Sequence, residues 1–197
     1  MKRTSLLLLA LSLLACLPLA AEEIAIDLNP SRTSVTFTLG DVLHTVHGAF
    51  KLQRGNVRFD TSTGKASGEI VVDVASGDSG NNARDRRMHK DILESAKYPE
   101  AVFIPDHVTG TLAAEGESQI DAHGMFRLHE TSHEMTLHFV VQNHNGELSA
   151  AADFVIPYVQ WGLKNPSTFV LRVSDKVQMH IQASGSLQPS GAATAER

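Results

Sequence analysis

Residues 84–95 read Arg84-Asp85-Arg86-Arg87-Met88-His89-Lys90-Asp91-Ile92-Leu93-Glu94-Ser95. Met88, Ile92 and Leu93 fall at i, i+4 and i+5, which gathers the apolar side chains on one side of a short helix. On both sides of this segment the chain alternates apolar and polar residues with the period of a strand. A single amphipathic helix set into an antiparallel sheet covers or plugs an opening in it. The expected architecture is therefore all-β: a closed antiparallel barrel with one short helix as a lid, a form that holds ligands when the barrel is of modest size.

Working outward, Ile24, Ile26 and Leu28 alternate before the turn Asn29-Pro30-Ser31, and Val35, Phe37 and Leu39 form the next face before Gly40-Asp41. Val46, Gly48, Phe50 and Leu52 follow, then Val57 and Phe59, then a turn over residues 60–65. Ala66, Gly68, Ile70, Val72 and Val74 lead into the loop Ser76–Asn82 and the helix. After Tyr98-Pro99 the strands resume with Val102 and Ile104. Ile120, Ala122, Gly124, Phe126 and Leu128 alternate next, as do Met135, Leu137, Phe139 and Val141. Leu148, Ala150, Ala152, Phe154 and Ile156 precede an irregular stretch, residues 157–167, and Val177, Met179, Ile181 and Ala183 close the series. No internal repeat or linker interrupts it, so one barrel domain over residues 22–188 is expected, with 189–197 as a disordered tail.

The inward positions Gly48, Ala66, Gly68, Ala122, Gly124, Ala150 and Ala152 are small where a filled core would carry branched side chains. Two readings follow. Either these residues leave a volume lined by Val, Ile, Phe and Leu, suited to an apolar ligand, or they mark bulges and strand crossings.

The first 21 residues read as an export signal: Lys2 and Arg3, the apolar run Leu6–Leu14, and Pro18-Leu19-Ala20-Ala21 before Glu22. Leu6–Leu14 is too short to span a bilayer, which takes about 20 apolar residues, and no later segment is a transmembrane candidate. The mature protein is expected to be soluble and periplasmic. Leu13-Leu14-Ala15-Cys16 also resembles a lipobox, so anchoring through a lipidated Cys16 is the alternative. Cys16 is the only cysteine, and cleavage after Ala21 excludes disulfides, thiolate metal sites and cysteine nucleophiles. Losing Lys2 and Arg3 leaves the remaining basic residues against 22 acidic ones, a formal charge of about −7. That balance argues against binding nucleic acid or anionic membrane surfaces by charge.

Four segments resemble the YceI-like family of exported lipid- and polyisoprenoid-binding proteins, over Ile24 to about Leu187. Val35-Thr36-Phe37 with His47-Gly48-Ala49-Phe50 resembles its opening strands. Ser76-Gly77-Asp78-Ser79-Gly80-Asn81, Arg84-Asp85, Met88 and Lys97-Tyr98-Pro99 resemble its loop and helix. Gly124–Leu137 matches its central hairpin in length and pattern. Phe154, Ile156, Trp161-Gly162 and Asp175-Lys176-Val177 resemble its C-terminal strands. The chain departs from the family at Thr33 and Gly40, where histidines are common. It departs again at Glu130 and Glu134, in place of glycine and proline, and at Tyr158 and Gln160, in place of arginine and aspartate. Its helix segment is one residue shorter.

The resemblance implies a lipocalin-like barrel that sequesters or carries a long-chain isoprenoid or similar lipid, with no cofactor beyond that ligand and no catalysis. Candidate tunnel-lining residues are Phe37, Phe50, Ile70, Val72, Ala122, Gly124, Phe126, Leu137, Phe139, Ala152, Phe154 and Trp161. Arg84 and Arg87 are the headgroup candidates, against the alternative of a solvated basic face. Trp161 is expected at a barrel mouth, capping the core or touching ligand. Self-association into a homodimer stays open. The rival readings are an interaction or stress-protection module with a solid barrel, and a metal-binding protein using surface histidines.

Neither metal nor nucleophile chemistry gathers support from the residues. His44 and His47 are three apart, on opposite faces of a strand. Keeping Gly124, Phe126 and Leu128 on one face with Met135, Leu137 and Phe139 suggests pairing Leu128 with Met135 and Phe126 with Leu137. That register sets His129 opposite Glu134, leaves His133 in the turn, and brings no metal set together. Gly77-Asp78-Ser79-Gly80 resembles the nucleophile segment of chymotrypsin-like proteases, but Asn81 follows and no matching histidine segment lies upstream.

Overall fold

The computed structural model describes residues 23–40, 45–169 and 172–188. The expected export signal, the C-terminal tail and His44 lie outside the described residues. Nine strands form one antiparallel sheet: β1 (Glu23–Leu28), β2 (Ser34–Gly40), β3 (Thr45–Asp60), β4 (Ala66–Asp78), β5 (Glu100–Thr109), β6 (Gly116–Leu128), β7 (Thr131–His144), β8 (Glu147–Ile156) and β9 (Val177–Gln188). Their order is β1-β3-β2-β9-β8-β7-β6-β5-β4, and the β3–β4 pairing closes the sheet on itself.

Nine strands make eight staves, because β1 and β2 share one position. Both lie between β3 and β9: β1 pairs with residues 56–60 and 185–188, and β2 with residues 45–50 and 178–182. The break between them is the Pro30–Arg32 turn, where the Asn29 side chain accepts from the Ser31 amide and Pro30 has no N–H to give a ladder.

The helix stands where the apolar spacing places it. Helix α1 spans Asn82–Arg87, and one wider turn continues it through Met88–Ile92. Asn81 caps it, its side-chain oxygen accepting from the Ala83 and Arg84 amides.

Two strand readings need correction. In β5 the inward residues are Ala101 and Phe103, which pack with the main core, while Val102 is buried outside that cluster and Ile104 is exposed. Neighbouring residues 101–103 are all buried, so alternation carries no phase there. In the central hairpin, Phe126 pairs with His133, Gly124 with Met135 and Ala122 with Leu137, so the actual register is displaced four residues from the expected one. The two-residue turn His129-Glu130 causes this, since His129 takes the left-handed conformation at φ 60°. The displacement is even, so every side chain keeps its expected face. His133 is not in the turn, and His129 does not face Glu134.

The far end of the barrel, away from the helix, is filled. Phe59, Val108, Ile120, Ala122, Val141 and Leu148 are buried together there. Asn143, 2% exposed, finishes this end: its Nδ2 donates to the carbonyls of Ala113 and Ala114, and its Oδ1 accepts from the Gly146 amide.

Toward the helix the staves separate. Strands β7 and β8 pair only through residues 140–144 and 147–151, on either side of the Asn145-Gly146 turn. Beyond that, residues 131–139 of β7 pair with β6 alone, and residues 152–156 of β8 with β9 alone. The irregular strap Pro157–Ser167 lies in the resulting seam. Trp161 stacks on His133 with ring centroids 4.0 Å apart and planes 5° from parallel, and sits 5.7 Å from Phe126.

Candidate functional site

The widened, helix-capped end encloses a cavity of about 470 Å³, within the roughly 300–1,000 Å³ usual for ligand pockets. Its walls are Val35, Phe37 and Leu39 of β2, Val46 and Phe50 of β3, Val72 and Val74 of β4, Ala101 of β5, and Phe126 and Leu128 of β6. Phe154 and Ile156 of β8 and Val177, Met179 and Ile181 of β9 complete the barrel's share. The strap and the stretch after it add Tyr158, Leu163, Pro166 and Val173, and the lid adds Ala83, Arg84, Arg87, Met88, Ile92 and Leu93. Apart from Ser79, Tyr158 and the two arginines, every lining side chain is apolar.

Of the candidate lining residues, Phe37, Phe50, Val72, Phe126 and Phe154 reach this cavity, as do Arg84 and Arg87. Ile70, Ala122, Gly124, Leu137, Phe139, Ala152 and Trp161 do not line it. Ile70, Ala122, Leu137 and Phe139 belong to the filled core, and Ala152 is buried opposite Ile181. Trp161 is taken up by His133 and Phe126.

Gly124 is small because the β5 backbone crosses over it at the bulge beside Pro105: a side chain there would run into the Ile104 carbonyl and lie 2.8 Å from the Pro105 Cα. Gly48 is covered by the Phe37 ring, and Gly68 lies at φ 104° against the Asn56 carbonyl. These glycines mark close approaches and leave no ligand volume.

The lining residues missing from the candidate set are inward positions of the alternating strands toward the helix end, such as Leu39, Val46, Val177 and Ile181. Their signal was their phase together with their nearness in sequence to the mouth.

The lid is held down by a compact polar set. Arg84 donates from Nε to the Ser79 hydroxyl and from Nη2 to the Ser79 carbonyl, both at 2.7 Å. Ser79 in turn donates to the Asp85 carboxylate from its hydroxyl and, at 3.1 Å, from its amide. His89 is a second anchor, and sequence reasoning gave it no role. Its Nε2 donates to the Gly77 carbonyl at 2.8 Å, which leaves Nδ1 to accept from the buried Ser95 hydroxyl at 3.1 Å. By contrast, Arg87 has no polar partner among the described residues.

Glu94 lies where three pieces of the rim meet. It lies at the end of the lid at φ 45°, with one carboxylate oxygen 3.8 Å from His129 Nε2 at the hairpin tip and the other 4.0 Å from Lys164 Nζ on the strap. Beside it, Tyr98 donates to Glu130 and Lys97 lies 3.1 Å from the same carboxylate. Those two contacts, the tyrosine's first, hold the Glu130 carboxyl below its usual range. On the cavity wall Tyr158 donates to the Ser174 carbonyl at 2.6 Å, and burial, with Asp175 nearby, pushes its phenol up to about 12. It stays a neutral donor at every physiological pH.

The geometry is that of a container: an apolar interior under an anchored lid, with Arg87 at its rim. Among the described residues, no three His, Cys, Asp or Glu side chains gather as a metal site, and no helix is long and apolar enough to cross a membrane.

Comparison with known families decides the relationship. The model of the YceI-like domain matches residues 27–184. The chain belongs to the YceI-like family. Curated relatives within reach of this YceI-like chain include a UPF0312 protein of Pseudomonas savastanoi pv. phaseolicola, 33% identical over 132 residues, covering 65% of this chain and 66% of the relative. Another, UPF0312 protein PputW619_0484 of Pseudomonas putida, is 31% identical over 134 residues, covering 66% and 67%. The match thus spans about two thirds of those relatives' length.

Among solved structures, BcnA of Burkholderia cenocepacia superposes with a TM-score of 0.65 at 18% identity, covering 80% of this chain and 99% of BcnA. A polyisoprenoid binding domain from Saccharophagus degradans, implicated in plant cell wall breakdown, gives 0.64 at 15% identity, covering 84% and 99%. At such identities the likeness establishes a shared barrel fold.

Proposed function

We propose that this YceI-like protein binds one long-chain isoprenoid or similar lipid in the helix-capped cavity, as a periplasmic carrier or sequestering protein, and turns over no substrate. The observation that carries the reading is the cavity itself, about 470 Å³ of almost wholly apolar space inside an otherwise filled barrel. The polyisoprenoid binding domain that shares the fold supports the ligand class, and the leader-like residues 1–21 support export.

The energetics suffice. Burying ten CH₂ groups at about 0.8 kcal/mol each contributes roughly 8 kcal/mol before ordering costs, which corresponds to about micromolar affinity. Arg87, unpaired at the rim, with Arg84 beside it, is placed to meet an anionic headgroup such as a phosphate.

The test is a titration of delipidated protein with a prenyl alcohol and the matching prenyl phosphate, alongside mass spectrometry of lipid extracted from the native protein. One equivalent should bind. Val177→Phe and Ile181→Phe, which add volume on the cavity wall, should weaken both ligands about tenfold or more with the fold intact. Arg87→Gln should weaken only the phosphate. No uptake by wild type, or uptake indifferent to both wall variants, overturns the reading.

A further inference from the structure

Charge is distributed unevenly about the cavity. The two segments that frame its mouth, residues 82–95 of the lid and 157–176 after β8, carry seven Lys and Arg against four Asp and Glu, while the remainder of the chain beyond residue 21 carries eight against eighteen. The acidic balance of the whole molecule therefore belongs to the barrel body, and its mouth is cationic. Arg84 and Arg87 face the cavity side of the lid, and Arg86 and Lys90 line an open cleft on its other side. Among the described residues Arg86, Arg87 and Lys90 have no ion-pair partner; of the lid's three acids, Asp85 is occupied by Ser79 and Glu94 lies between His129 and Lys164, which leaves Asp91 alone unengaged against these three cations.

The same end presents the most exposed large apolar side chain of the described residues. Phe169 is fully solvent-exposed, between Pro166 and Val173 in sequence, both of which line the cavity. An exposed aromatic at the same end of the barrel as unpaired cations matches the interfacial layer of a bilayer, where the ring enters the headgroup boundary and the cations meet anionic lipid.

We propose that the cavity mouth is a docking surface for an anionic bilayer, Phe169 entering the interface while the lid cations face lipid headgroups. This orientation would place the opening of the barrel against the membrane and turn the acidic body away from it. The proposal does not require a loaded cavity, so it stands or fails separately from lipid binding.

Flotation with vesicles tests it, using the chain without residues 1–21, whose barrel begins at Glu23. At low salt the protein should float with vesicles containing about 30 mol % phosphatidylglycerol in phosphatidylcholine, and not with phosphatidylcholine alone. Binding should fall steeply as salt rises. Removing a lid cation should lower the partition coefficient about fivefold, so the double variant Arg86→Gln/Lys90→Gln should lose about 25-fold. Phe169→Ser should lose about tenfold or more. The near-ultraviolet signal of Trp161 and an unchanged urea midpoint certify that each variant is folded. Equal flotation with both vesicle types, or flotation unchanged in both variants, overturns the proposal. So does light scattering that shows a dimer lost on Phe169→Ser with no flotation, which assigns the surface to a second copy of the chain.

Discussion

At the far end of the barrel, strands β6, β7 and β8 pair continuously, and Ile120, Val141 and Leu148 meet in a filled core. At the helix end the same strands carry the same alternation, yet Phe126, Phe154 and Ile156 face a cavity. Composition does not separate the two ends, since both are lined by large apolar side chains. What differs is the backbone: β7 and β8 part company after residues 140 and 151, and the staves no longer approach closely enough for their side chains to interdigitate. Hollowness here is a property of strand pairing, and residue size has little to do with it.

The sharpest way to break this comparison is to add volume where neighbouring staves approach closely and where they do not. Gly124→Leu forces a side chain into the β5 backbone, so loss of cooperative folding, or destabilisation of at least about 3 kcal/mol in urea, is expected. Val177→Phe, facing the cavity, should cost less than about 1.5 kcal/mol. If the two variants unfold alike, the cavity wall is as closely packed as the β5–β6 crossing and the distinction fails.

Removing volume gives a smaller effect with the same logic. Leu148→Ala in the filled end should cost about 2–5 kcal/mol. Phe154→Ala, beside space that is already empty, should cost less than the approximately 3–5 kcal/mol of a packed phenylalanine. Equal losses, measured by urea denaturation, would show that the cavity collapses around its walls.

The smallest expected effect concerns the outer surface at mid-barrel. His123 lies 2.6 Å from Asp106 and 3.0 Å from Glu134, and these contacts, that with Asp106 first, raise its pKa. A raised folded-state value means the fold holds the proton more tightly than the unfolded chain does. Its contribution is fully present below the unfolded value near 6.5 and is lost as pH rises through the higher folded value. The pair is exposed, so the effect is slight. Wild type should lose a little stability relative to His123→Gln from about pH 6 to about pH 8, read from paired urea midpoints. A difference that is flat with pH would show that the contacts hold no proton.

Which parts of this were legible beforehand follows from what each signal encodes. Period-two alternation reports the face of a residue, so Phe126 and Leu137 were assigned inward even though their pairing was displaced. Register is set by the turn, and here the positive φ falls on His129, a residue that gives no glycine-like warning. Gly124 and Ala152 were read as space because smallness in sequence does not distinguish an empty neighbour from a close one. The lid was legible in the spacing of Met88, Ile92 and Leu93, whereas its anchoring through His89, Ser95 and Gly77 joins residues of irregular spacing that carry no pattern.

The shared stave has a further implication, for the order in which the barrel comes into being. Val35 pairs with Ile181 and Ile26 with Leu187, so the strands that seal the sheet come from opposite ends of the chain. Hairpins such as β6–β7 form locally, but the seam at β9 waits until β9 itself has been made. Such distant pairing slows folding. The barrel therefore closes only once β9 is available to β1 and β2, and its cavity belongs to the assembled sheet, not to any single hairpin.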